Sequence, residues 1–310
     1  GESSIKGFDA QSTSRLYVRV DKGKTYALYG DFITQENNPD RQLGDYSRAQ
    51  TGLKAHYEQG IVQTNLFGVS SASSRRVREL RGEGISRYEL PDEDIIENSD
   101  IIELVTFDRN QPEVILNVER LTRFRDYVIE PFSGVLTFRS PVSSVDQDFN
   151  PVFIRATYEV ENNNDQYFIG GVNSTVDVSE NLSVGTNLVQ DNDPTNNFTL
   201  ASGNVGVQLR ENTDIIGEYA FTNTDLAGSG SAARVEVRHK GEKADFSAQV
   251  GSSDRDFSNR TSTLGQGRTE AKARGRYRLA TSTNLNGEFL LSRNDTTGAQ
   301  TLGGVVNLQQ

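Results

Sequence analysis

The chain has 310 residues, with 32 Lys and Arg against 43 Asp and Glu, for a formal net charge of −11 at pH 7. It contains no Cys, Met or Trp, which excludes disulfides, thiolate metal sites and cysteine nucleophiles. The acidic balance argues against nucleic-acid binding, which needs a basic patch or stripe.

Glycine is abundant (28) and proline scarce (7), as suits an all-β chain with many turns. No run of 18 apolar residues occurs, so no membrane-spanning helix is encoded. A membrane β-barrel leaves no such run, because its strands alternate.

In chain order, the first signal is "SRLYVRVDKGKTYALYGDF", residues 14–32. Leu16, Val18 and Val20 share one face, with Tyr17 and Arg19 on the other. After the turn Asp21-Lys22-Gly23-Lys24, Tyr26, Leu28 and Phe32 carry the apolar alternation on. Period-two alternation around a Gly-containing turn predicts a hairpin. "AQTGLKAHYE" follows, with Ala49, Thr51, Leu53, Ala55 and Tyr57 opposite Gln50, Lys54, His56 and Glu58.

The composition then changes. Residues 85–160 hold one glycine, Gly134, while the rest of the chain holds 27. Five of the seven prolines fall there, with 15 Asp and Glu against 7 Arg and no Lys, so this window carries −8 of the −11. Within it "DIIELVTFDR", "EVILNVERL", "DYVIEP", "GVLTFRSP" and "PVFIRATYEV" read as five short strands. Glu130-Pro131-Phe132-Ser133-Gly134 makes a hairpin turn between the third and fourth. The predicted core positions are Ile101, Leu104, Val114, Leu116, Val128, Leu136, Phe153 and Ile154. The window is expected to fold as a small β domain by itself.

After the window the alternation resumes. Ala233, Val235 and Val237 oppose Arg234, Glu236 and Arg238; Ala244, Phe246, Ala248 and Val250 follow the turn at Lys240 to Lys243. Ala271, Ala273, Gly275, Tyr277 and Leu279 oppose the ladder Lys272, Arg274, Arg276 and Arg278. Tight turns near Ser179 to Asn181, Glu211 to Asp214, Lys240 to Lys243 and Thr281 to Asn284 alternate with longer polar loops. Those loops run from Asp191 to Asn197, Thr224 to Ser231, Ser252 to Thr269 and Asn294 to Ala299.

Long strands with short turns at one end and longer loops at the other are the pattern of an outer-membrane barrel. A soluble antiparallel sandwich also alternates in period two. The strand length, the light apolar face and the basic ladder favour the barrel; the absence of Trp and the sparse aromatic girdle oppose it. About four strands precede the window and about nine follow it.

The stretches "GFDAQSTSRLYVRVDKGKTYALYGDF", "YELPDEDIIENSDIIEL", "RDYVIEPFSGVLTF" and "NPVFIRATYEVE" carry a resemblance. The chain resembles large, poorly characterised bacterial outer-membrane proteins whose barrel strands are interrupted by a small β domain. The insert pattern is also similar to one in the translocon barrels of gliding-motility secretion. The likeness is clearest over residues 7–34 and 85–161. It implies an outer-membrane location, a β-barrel fold and outer-membrane lipid as partner, and it carries no enzymatic residues.

No catalytic, cofactor or metal site is expected. The two histidines, His56 and His239, are placed on polar strand faces without convergent partners, and no hydrolase, phosphate-loop or dinucleotide motif appears. The acidic groups Asp92-Glu93-Asp94 with Glu97 and Asp100, Asp146 with Asp148, and Asp191 with Asp193 offer oxygen ligands of the kind Ca²⁺ takes. They lack the spacing of a calcium loop and read as solvated acidic loops. The basic ladder is expected to pair across strands with Glu218, Glu236 or Glu288 rather than to select anions in a pore.

The expected organisation is therefore barrel strands over residues 1–84, an inserted acidic β domain over 85–161, and barrel strands over 162–310. The function expected is transport, secretion or envelope architecture without chemistry, with no cofactor. The alternative is a surface-exposed structural protein such as an adhesin or a layer or filament subunit. Val235→Arg is expected to be costly and Arg234→Val cheap. Thirteen strands is an odd number, Gly1 follows no initiator Met, and the end Leu308-Gln309-Gln310 lacks the aromatic residue that closes many bacterial barrels. These features lead us to expect a longer parent chain, or a sheet shared with neighbouring copies or other envelope proteins.

Overall fold

The structure, a computed structural model, describes residues 18–34, 38–97, 99–109, 112, 115–161, 166–259, 261–262, 264–280 and 283–309. Leu16, Tyr17 and Val114 lie outside the described residues. All the regular structure among them is β-strand.

Four strands come first: β1 (Val18–Lys22), β2 (Thr25–Ile33), β3 (Ala49–Gln59) and β4 (Val62–Ser71). Seven shorter ones follow: β5 (Ser73–Arg81), β6 (Ile85–Glu89), β7 (Ile101–Phe107), β8 (Ile115–Arg120), β9 (Tyr127–Glu130), β10 (Val135–Val142) and β11 (Val152–Glu161). Then come β12 (Tyr167–Ser179), β13 (Leu182–Asp191), β14 (Phe198–Arg210), β15 (Thr213–Thr224) and β16 (Gly228–Lys240). The series ends with β17 (Ala244–Ser253), β18 (Arg268–Ala280), β19 (Thr283–Asn294) and β20 (Gln300–Gln309).

β1 to β4 and β12 to β20 form one 13-stranded antiparallel sheet in chain order. β4 pairs directly with β12, from Val62 against Val176 to Ser71 against Tyr167, so the chain leaves the sheet after Ser71 and returns beside its point of departure. Among the described residues β1 and β20 each have one neighbour and do not pair with each other. Among the described residues the sheet is open at both edges, and no closed barrel is seen. The connections sort by end. Gly23, Gly60 and the pair Glu180–Asn181 sit in two-residue turns at one end; residues 34–48, 192–197 and 254–267 form longer connections at the other. The loop expected over Thr224 to Ser231 is only three residues long, because Gly228 to Ser231 pair with Thr224 to Phe221.

Which way this sheet turns its apolar side is its most informative property. An outward row runs through the register from Val184 to Val205, Gly217, Val235, Val250, Ala271, Leu291 and Leu302. Val235 is 55% exposed and Leu53 61%. The opposite face buries Lys54, Asn65, Asn173, Asn187, Asn204, Glu218, Arg234 and Glu236. A soluble sheet has the reverse arrangement.

The sheet carries 26 exposed large apolar side chains. A contiguous apolar surface of this extent is rare on a soluble monomer. In water this sheet face would need a cover.

The first hairpin departs from the sequence expectation. Val18 pairs with Tyr29 and Val20 with Ala27, so those four point outward together. Tyr26, Leu28 and Phe32 belong to the other face, where Leu28 is 1% exposed and packs with Phe32, Val69 and Ile169. They find apolar company inside because Leu43 and Tyr46 from the 34–48 connection and Phe257 from the 254–267 connection pack there too.

The strands between β4 and β12 form two smaller sheets, β6-β10-β9 and β5-β11-β7-β8, which share a core around Ile102, Tyr127, Ile129, Leu136, Phe138, Ile154 and Tyr158. The five strands read from the window are β7 to β11, and Gly134 closes the β9–β10 turn at φ +67°, a conformation that suits glycine. Leu116 and Val128 are exposed rather than in the core; Ile102, Val105, Tyr127 and Ile129 take the inward positions that the alternation leaves them. β5 precedes the glycine-poor window, yet it pairs along β11 from Ser73 against Glu161 to Arg81 against Phe153. The composition shift and the change of sheet therefore begin at different residues.

Candidate functional site

The inner face of the large sheet is occupied by its own chain. Residues 38–48 lie back over the sheet near the long-loop end, and inward side chains grip their backbone. The Glu218 carboxylate accepts the N–H groups of Gln42, Leu43 and Gly44 at 2.8 to 3.1 Å. Arg234 donates to Glu218 and to Glu236, both at 2.6 Å, and to the carbonyl of Asp40 at 2.7 Å. Arg238 reaches Glu236 and the carbonyl of Pro39, each at 2.7 Å. Asn187 donates to the carbonyl of Gly44, and Asn259 to those of Leu43 and Asp45.

This fit has a steric requirement. A Cβ on Gly44 would lie 1.9 Å from Ser202 Oγ, so only glycine lets the loop backbone approach β14 so closely. Asp40 and Arg41 bond within the connection, to Asn38, but the N–H groups of Gln42 to Gly44 take their partner from the sheet, since buried backbone groups must be paired.

A second cluster holds the loop's end. Arg48, 1% exposed in its side chain, makes a forked contact with Glu159 at 2.6 and 2.7 Å and donates to Asp191 at 2.6 Å and to the Tyr167 hydroxyl at 2.8 Å. The Tyr46 hydroxyl donates to Asp191 at 2.8 Å. Burial would lower the Arg48 pKa, but the hydrogen bonds and charge of Glu159 outweigh it and hold the guanidinium well above its ordinary value. Burial, seconded by Asp191, pushes the Tyr46 phenol above its ordinary range, so it remains a donor. Because Glu159 belongs to β11, this cluster ties the small sheets to the large one.

The residues singled out from sequence are dispersed. His56 faces inward, bonded to Asn65 at 2.6 Å and stacked on Tyr26. His239 lies on the outward face, opposite Phe246 and stacked on it, with Thr213 at 2.9 Å. The expected polar setting fails for His239 because it continues the Val235, Val237 phase of β16.

The acidic groups are engaged rather than merely solvated. Asp92 accepts from Tyr158 and faces Arg78; Asp100 accepts from Tyr127 and faces Arg123. Asp146 caps its own turn through the N–H groups of Asp148 and Asn150, and Asp193 does so through Thr195. Among the described residues no three His, Asp or Glu gather as metal ligands do.

Among the described residues the basic ladder pairs across strands only at Arg276, with Asp245 at 3.7 Å; Lys272 bonds Glu270 of its own strand at 2.8 Å, and Arg274 donates to Ser247. Glu218 and Glu236 belong to Arg234 instead. Arg234 is only 4% exposed and holds two carboxylates and a carbonyl, so its replacement by Val is costly, contrary to the sequence expectation.

Sequence reasoning passed over residues 38–48. A signal was present, since a 15-residue connection between two hairpin strands is unusually long and here contains Leu43, Gly44 and Tyr46.

The chain is thus an all-β protein built on large antiparallel sheets, with an exposed apolar face and an occupied polar one. No protein-family model and no curated protein matches it.

Proposed function

We propose that the large sheet is the wall of an outer-membrane β-barrel whose interior is plugged by the 38–48 loop, and that the protein serves transport, secretion or envelope architecture without catalysis. The observation that carries this reading is the inverted sheet. Through the middles of β12 to β19 the outward positions hold no Asp, Glu, Lys or Arg, while the inward ones carry Glu218, Arg234, Glu236, Glu270, Lys272 and Arg274. From Ala271 to Leu279 the outward side of β18 runs about 26 Å at ~3.3 Å per residue, close to the apolar band of ~25 Å that a bilayer requires. A surface filament in water has no use for such a band.

Two partners follow from this reading. Outer-membrane lipid covers the outward face. The free edges of β1 and β20 need strands from the same polypeptide, from another copy or from another envelope protein, since unpaired backbone groups cost several kcal/mol each in hydrocarbon. With the interior filled by Leu43, Tyr46 and the Glu218 network, a static open pore is not part of the proposal.

The test is expression behind a secretion signal. The protein is expected in the outer-membrane fraction, extracted only by detergent, with migration in gels that changes on heating. A monodisperse monomer in detergent-free buffer would refute the reading and favour a surface structural protein.

A further inference from the structure

Beside the Arg48 cluster lies a cavity of about 310 Å³, between β5, the 192–197 connection and Ser258 and Asn259. Arg48, Arg75, Arg76 and Arg78 stand in its wall against Asp191 and Asp193.

Arg75 is the unusual member. In register it faces Glu159 across the β5–β11 ladder, which would ordinarily give an ion pair. Glu159 is already full: its two oxygens take two bonds from Arg48, one from Ser73 and one from Gln50, which uses the roughly four acceptor positions of a carboxylate. Asp191 is occupied by Arg48, Tyr46 and the N–H of Asp193.

Among the described residues Arg75 has no hydrogen bond or ion pair, and its Nε is shut off from solvent without a partner. The Nε atoms of Arg76 and Arg78 are in the same state, although those two side chains reach Asp92 at 3.8 and 3.1 Å. Packing around the half-buried Arg75 side chain lowers its pKa, against the opposing charge of Glu159 and Asp191, while its two terminal nitrogens stay accessible from the cavity. A guanidinium set in a cavity wall with its Nε enclosed, its terminal nitrogens open and no protein acceptor is placed to take an acceptor from a ligand.

We propose that this cavity binds an oxyanion group, a carboxylate or a phosphate, through the guanidinium of Arg75. Arginine's planar fork matches such groups with two parallel hydrogen bonds. The hydroxyls of Thr195 and Ser258 share the wall. The charge balance sets the ligand's size. The four arginines exceed the two wall aspartates by two, and Asp92 and Glu159 behind them bring the sum to zero. The site therefore suits a single small oxyanion and not a polyanion, as does a volume at the lower end of ligand sites.

This inference does not rest on the membrane reading: Arg75 belongs to β5, outside the large sheet, and Asp191, Phe198 and Thr224 line the cavity only from the sheet's long-loop end. It is tested on the full chain in an uncharged maltoside detergent, or in plain buffer if the chain needs none. Inorganic phosphate and acetate are titrated calorimetrically in separate runs. A third run uses nanodiscs with and without phosphatidylglycerol, which separates a lipid phosphate from a free one.

Saturable one-to-one binding of at least one probe is expected. Arg75→Gln should weaken it about tenfold or more, the loss expected for a charged hydrogen-bonded pair, with Arg75→Lys in between and the exposed Arg87→Gln unchanged. Without ligand, Arg75→Gln should melt no lower than the parent chain, and the ligand-induced rise in Tm should vanish. Absence of saturable binding, or equal affinity in Arg75→Gln, overturns the proposal. So does an equal drop in Tm with and without ligand, which would make Arg75 a structural residue. If Arg75→Gln does not fold, Arg75→Lys decides: unchanged affinity overturns the proposal, and weaker binding by a folded protein sustains it.

Discussion

Glu218→Ala is the sharpest test of the plug. The carboxylate accepts three consecutive backbone N–H groups and the Nε of Arg234 at 2.6 Å, with Glu218 and Arg234 both buried. Removing one partner of a buried ion pair costs roughly 3–5 kcal/mol. Three orphaned amides would add ~1–3 kcal/mol each if the loop stayed in place. That sum exceeds what the seated loop regains, so the loop lifts, its amides meet water, and the cost settles near the ion-pair figure, about 3–5 kcal/mol. Two measurements report this. Equilibrium unfolding by denaturant gives the stability difference, and hydrogen exchange over residues 38–48 gives the loop. Protection of that segment should collapse while protection of β13 to β16 persists. A cost below about 1 kcal/mol with unchanged exchange would refute the account of Glu218 as the loop's anchor.

Three further outcomes are expected. Val235→Arg should destabilise by roughly 2–4 kcal/mol near a bilayer midplane, and Arg234→Val by about 3–5 kcal/mol through the stranded Glu218 and Glu236; unfolding in lipid vesicles measures both, and tolerance of Val235→Arg would count against lipid contact. A fragment spanning residues 73–161 should fold, by circular dichroism and cooperative melting, and should outlast one spanning 85–160, which lacks β5 and strips β11 of a partner along nine residues; equal stability would show that β5 adds nothing. Asp126 is held below the ordinary aspartate range by the Arg125 guanidinium and by the N–H of Thr122. A depressed folded-state pKa contributes stability above the ordinary aspartate value, and this is lost as pH falls through the depressed one. Asp126→Asn should therefore shrink the acid-side loss of stability of the 73–161 fragment, and an unchanged pH profile would contradict the assignment.

The sequence by itself determined most of the strands and their order, though β5 and β6 escaped it. Side-chain alternation and turn chemistry are local properties, so "ARVEVRHK" and "AKARGRYRL" announce their two faces without reference to anything distant. The same holds for β1 to β4 and β12 to β20 of the large sheet, and for the Glu130 to Gly134 turn. Chain-neighbour pairing then follows, because short turns leave an antiparallel partner nowhere else to go. What alternation cannot say is what each face meets. Leu28 and Phe32 point inward because a distant loop brings Leu43 and Phe257 to them, and no pattern within β2 contains that information. Ion pairing was legible in kind but not in partner: any inward acid can serve any nearby arginine, and the register that gives Glu218 to Arg234 and leaves Arg75 facing an already saturated Glu159 exists only once β5 lies against β11 and Arg48 has arrived from β3's side. Local sequence sets the period and phase of each strand; the counter-charge that a buried group receives is settled by long-range packing, where a few ångströms decide which acceptor is already taken.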